Sequence, residues 1–152
     1  MAVDTELPLW SARIARSLAA HSVTTVFQPI VDLKRKTVVG YEALSRFDEV
    51  NGVYLGPDQW FAAAIALDLT AELDAMTLTS AFRRRPDLPR NCFLSVNVDP
   101  ASLLDRRVLD IFSAQGHLGG IVIELTEHRA WDWTRLSPIV ERLKQALSLI
   151  HI

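Results

Sequence analysis

The stretch Thr37–Phe47 reads T-V-V-G-Y-E-A-L-S-R-F and carries the strongest strand signal in the chain. On a pleated strand alternate side chains face opposite sides. Val38, Gly40, Glu42, Leu44 and Arg46 therefore share one side, and Val39, Tyr41, Ala43, Ser45 and Phe47 the other. A carboxylate in an otherwise apolar strand is costly to bury unless it is paired or bound to a cation. Glu42 is thus the residue that the rest of the chain has to explain.

Upstream, residues 24–33 are rich in Val, Ile, Phe and Thr and read as a strand interrupted at Pro29, which cannot donate to a ladder and so favours an edge, a bulge or a strand end. The polar link 34–36 is too short for a parallel crossover, so the two strands should form an antiparallel hairpin. Before them, Trp10, Ile14 and Leu18 recur every four residues and predict a leading helix over 10–20.

Downstream, Asn51-Gly52 and Gly56-Pro57 punctuate a loop, and helices are expected from about Asp58 and over 69–84. Short apolar strands follow at 92–98 and 121–125. They are separated by a predicted helix over 103–115, and a last helix spans 131–146, opened by Thr134 or Ser137 with Pro138 in its first turn. Strand and helix alternate after the hairpin, which predicts parallel strands with helices outside.

Composition limits the class of protein. The 152 residues, 49% hydrophobic and 22% charged, suit one globular domain with a substantial core. A formal charge of -2 creates no global field for a DNA or RNA polymer or an acidic membrane. Arginines 83–85 and 106–107, without interleaved aromatics, read as solvated helix ends. The single Cys92 excludes an internal disulfide, fits a reducing compartment and reads as a buried filler. No apolar run approaches the ~20 residues of a membrane span. Asp4 and Glu6 stand where a secretory signal would be apolar, so a cytoplasmic location is expected.

In parallel α/β folds chemistry gathers at the C-terminal ends of the strands. Glu42, Asn97 and Glu124 lie at or near such ends, and three hard oxygen donors on neighbouring strands suit Mg2+ or Mn2+. Two carboxylates about 4 Å apart repel by roughly 4 kcal/mol at an effective dielectric near 20, which a cation between them removes. Blander readings stay open at each position. A strand-end glutamate can cap or pair, Asn97 can belong to the Asp99-Pro100 turn, and Arg46 can neutralise Glu42. The four histidines show no ligand spacing, and no phosphate-binding glycine loop is present.

Four motifs in order, Q-P-I-V-D-L at 28–33, G-Y-E-A-L-S-R-F at 40–47, L-S-V-N at 94–97 and I-E-L-T-E at 123–127, resemble the first half of an EAL domain. The resemblance implies a modified TIM-type (β/α) barrel with an antiparallel first hairpin. It also implies hydrolysis of cyclic diguanylate (c-di-GMP) to the linear dinucleotide pGpG with two divalent ions. Carried over by position, Glu42, Asn97 and Glu124 would be metal ligands, with Glu42 at the catalytic centre. Gln28 and Arg46 would contact the dinucleotide, Leu44 would lie beside its bases, and Glu127 would support the site. Ser45 departs from the larger apolar residue usual there, on the face opposite Glu42.

The expected fold class is therefore α/β, an incomplete barrel truncated after about four strands. Its expected parts are a leading helix over 1–22, the first half of the barrel over 23–146, and a non-native tail over 147–152, whose L-S-L-I-H-I resembles a translated transposase-type sequencing adapter. A complete barrel needs about 250 residues. The family's paired-aspartate motif, later lysine and further glutamates would fall beyond Ile152, so these 152 residues are expected to be inactive by themselves. A homodimer is compatible with the complete domain. The alternative is a catalytically silent EAL domain that binds the nucleotide or a protein partner.

Overall fold

The computed structural model describes residues 3–48, 52–126, 132–146 and 149–151. Helix α1 (Val3–Ala20) leads into strands β1 (Val23–Asp32) and β2 (Thr37–Phe47), which pair antiparallel. The hairpin turn forms because Asp32 Oδ1 accepts the backbone N–H groups of Lys34 and Arg35. Helices α2 (Pro57–Ala66) and α3 (Thr70–Arg84) carry the chain to β3 (Phe93–Val98). Helix α4 (Arg106–Ser113) leads to β4 (Ile121–Leu125), and α5 (Trp133–Ala146) to β5 (Leu149–His151). The strands lie in sequence order in one sheet, with every pair after the hairpin parallel. This is the α/β architecture read from the sequence, with a fifth short strand added.

The two faces of the sheet differ. Leu94, Val96, Val98, Ile121, Ile123 and Leu125 are buried on one face, packed with Leu78, Phe82, Phe112, Leu136 and Leu143 from α3, α4 and α5. Alternation puts Ser95, Asn97, Val122 and Glu124 on the other face. A second cluster closes the end of the hairpin, where Trp60 of α2 stacks on Phe47 at 4.5 Å and meets Trp10 of α1 edge-on at 5.5 Å. The predicted stripe holds there: Trp10 and Ile14 are buried and Leu18 is partly buried.

Several local expectations are corrected. Strand β1 runs through Pro29 and breaks register only between Ile30 and Val31. It is an edge strand, and the missing N–H of proline is harmless on the open side of an edge. The helix expected over 103–115 is split, because Asp105 is extended and its carboxylate accepts the Arg107 N–H, starting α4 afresh after a 3-10 turn at Pro100–Leu104. The last helix is opened by Asp132, whose Oδ1 accepts from Thr134 N, so Pro138 lies inside α5.

The arginines of the 83–85 cluster are not merely solvated. Arg84 donates to the Thr25 carbonyl at 2.6 Å and lies over the Phe27 ring, and Arg85 donates to the Gly119 carbonyl at 2.7 Å. Arg107 bridges Glu72 and Asp105. Cys92 is half-buried, with its thiol against the Val38 carbonyl. No helix among the described residues is long and apolar enough to cross a membrane.

Candidate functional site

Register brings the predicted residues together on the face that the helices leave uncovered. Gln28 pairs with Glu42, Glu42 with Ser95, and Asn97 with Glu124, so all of these side chains rise from one face of three adjacent strand pairs. A Cβ at Gly40, two residues before Glu42, would lie 2.5 Å from the Phe93 ring, so any side chain there would have to displace that ring. Glu42 stands in mid-strand of β2 and not at its end; its level is instead the limit of pairing with β3, which stops at Ala43 and Val96. Asn97 and Glu124 are the penultimate residues of their strands.

The central strand holds both carboxylates. Asn97 Nδ2 donates to Glu42 Oε1 at 2.9 Å, and Ser95 Oγ donates to Glu124 Oε1. Each glutamate thus gives one oxygen to β3 and keeps Oε2, while the Asn97 amide, having turned its nitrogen to Glu42, keeps Oδ1. Neither glutamate forms an ion pair among the described residues. Arg46 does not neutralise Glu42. The two lie four residues apart along the strand, about 13 Å, and Arg46 Nη1 donates to the Ser45 carbonyl at 2.8 Å.

Among the described residues no group of three or more His, Cys, Asp or Glu is placed to hold a metal. The donors at this site are instead two half-buried carboxylates and one amide oxygen, all hard ligands of the kind Mg2+ and Mn2+ prefer. The donor set fits such an ion, because it gathers two carboxylates that form no ion pair among the described residues.

Beside this row, a cavity of about 300 Å3 opens between the tips of β2 and β3 and helices α2 and α3. Leu44, Arg46 and Asn97 line it, together with Asp58 and Phe61 from α2. Gln28 is exposed on the same face as Glu42. Glu127 lies outside the described residues.

Two participants were not read from the sequence. Ser95 stands two residues before Asn97 in L-S-V-N, a spacing that puts both on one face and could have marked it. Asp74 sits on the buried side of α3 and accepts the Asp99 N–H at 3.1 Å, pinning the turn that follows Asn97. Burial pushes its carboxyl up to about 7, against the opposing hydrogen bond from the Asp99 backbone. An acid within the apolar spacing of a helix was the available signal.

Comparison with known proteins follows the same lines. The EAL domain family model matches residues 11–150. The probable cyclic di-GMP phosphodiesterase PdeB of Escherichia coli is 26% identical over 148 residues, covering 92% of this chain and 29% of that protein. The EAL domain of Xanthomonas citri FimX, solved in complex with c-di-GMP, superposes with a TM-score of 0.74 at 22% identity, over 95% of this chain and 58% of that one. Klebsiella pneumoniae BlrP1, solved as a manganese/c-di-GMP complex, gives a TM-score of 0.63 at 27% identity, over 84% of this chain and 34% of that one. The chain thus spans well under two thirds of each of these relatives, and it belongs to the EAL domain family.

Proposed function

We propose that this chain forms the first half of a cytoplasmic, metal-dependent phosphodiesterase that opens c-di-GMP to linear pGpG. The observation that carries this reading is the anchoring of Glu42 and Glu124 to one central strand, which also presents the Asn97 amide, with no ion pair to either glutamate among the described residues. The PdeB name and the c-di-GMP complexes of FimX and BlrP1 support the substrate, and the manganese of the BlrP1 complex supports the ion.

Glu42, Asn97 and Glu124 would hold the divalent ion, two such ions serving the complete domain. When bound, these ions supply positive charge that makes the phosphodiester more electrophilic and water a better nucleophile at neutral pH. The chain's own residues do the positioning. Asn97 fixes the Glu42 carboxylate, and Arg46, by exchanging the Ser45 carbonyl for a phosphate oxygen, can clamp the dinucleotide through its planar fork. Leu44 and the apolar wall of the adjoining cavity give a base a dry surface, and Gln28 reaches the dinucleotide from the hairpin. Glu127 would support the site.

A barrel of this type needs more strands than these, so binding and turnover separate. The purified chain should take up Mn2+, read from the electron paramagnetic resonance (EPR) signal of the free ion, and yet should not convert c-di-GMP to pGpG with either Mg2+ or Mn2+. Turnover by these 152 residues would contradict the proposed division of labour, and failure to take up Mn2+ would contradict the ligand assignment.

A further inference from the structure

We propose that Ser95 is a positioning residue that sets the carboxylate of Glu124 for its ion, an inference that rests on the metal reading of Glu124 given above. Ser95 is fully buried at the centre of the sheet, between Glu42 and Val122 in register, and its hydroxyl donates to Glu124 Oε1. Asn97, two residues on, reaches the opposite way to Glu42 Oε1. Strand β3 therefore holds one carboxylate on each side with one donor each, and both bonds run diagonally across the registers.

The geometry separates this role from simple space filling. A glutamate side chain has three rotatable bonds, and Glu124 is half-buried with no ion pair among the described residues, so the serine hydroxyl is the one described side-chain donor that fixes its rotamer. Ser95 takes Oε1 of Glu124, leaving Oε2, like Asn97 Oδ1, without a hydrogen-bond partner among the described residues. Partners that orient a ligand in this way contribute roughly 10–100-fold to metal affinity. Ser95 acts on the ion through Glu124, to which its hydroxyl donates.

Two measurements on the full chain test this. In the metal-free protein the Glu124 side-chain carboxyl carbon resonance should move in S95A and return in S95T, which keeps a hydroxyl. An unmoved resonance in S95A overturns the proposal, whatever the chain does with metal. Mn2+ affinity, read from the EPR signal of the free ion, should fall about 10–100-fold in S95A and recover in S95T, with unchanged circular dichroism. Equal affinity in S95A and wild type overturns the proposal as well. A wild-type chain that takes up no Mn2+ removes the metal reading, and the carboxyl resonance then decides the role of Ser95 by itself.

Discussion

Glu124→Gln should weaken Mn2+ binding by more than the roughly 10–100-fold expected for loss of a supporting partner, and E42Q/E124Q should abolish it. The substitutions are nearly isosteric, and both hydrogen bonds to β3 survive, because a glutamine oxygen still accepts from Ser95 Oγ or Asn97 Nδ2. What is lost is charge. Two carboxylates share this face without an ion pair among the described residues, so replacing them with amides costs the fold no ion pair and removes their mutual repulsion. Thermal stability without metal should therefore hold or rise in the double variant, while metal-induced stabilisation disappears. Titration followed by the EPR signal of free Mn2+, with melting curves recorded with and without the ion, checks both halves. Undiminished Mn2+ uptake by E42Q/E124Q would place the ion elsewhere.

The second large effect is a dependence of stability on pH that runs opposite to ordinary acid denaturation. Asp74 titrates near 7 in the fold because burial disfavours its charge, against 3.8 when unfolded. Between those values the folded state binds a proton that the unfolded state has released, so stability falls as pH rises through this window. It is fully present below about pH 4 and lost above about pH 7. At about 1.4 kcal/mol per pH unit, the interval sets an upper limit of about 4 kcal/mol. Melting temperature should therefore increase as pH is lowered from 8 to 5.5. Asp74→Asn retains an acceptor for the Asp99 N–H and should flatten that slope while raising stability at pH 8. The lowered pKa values of Asp105, held by Arg107, and Asp132, held by Thr134, act in the other direction and only at lower pH. A wild-type melting temperature unchanged over this range, or an equal slope in D74N, would contradict the assignment.

How much was legible followed the range of the interactions. The hairpin was readable because a three-residue polar link leaves no other connection, and β3 and β4 were readable because both are short apolar runs bounded by turns. Shared faces followed from strand periodicity, which is how Glu42 and Arg46 were aligned before any register was known. Periodicity says nothing of caps formed by single side chains. Asp105 therefore divided a helix that its apolar spacing made continuous, and Asp132 moved the start of another. The partners of Arg84 and Arg85 lie 59 and 34 residues away, at Thr25 and Gly119, and local pattern could not supply them. The same holds for Ser95 with Glu124 and Asp74 with Asp99, which exist only because the registers of β3 and β4 and the packing of α3 set them side by side.

The claim that residues 42, 97 and 124 hold one cation is tested most directly by paramagnetic broadening. Mn2+ added in small steps to the isotopically labelled chain should first erase the resonances of Glu42, Ser95, Asn97 and Glu124, with Arg46 and Leu44 following as the radius of the effect grows. Broadening centred on exposed acids such as Asp87 or Asp110, with the β3 residues left sharp, would contradict the account.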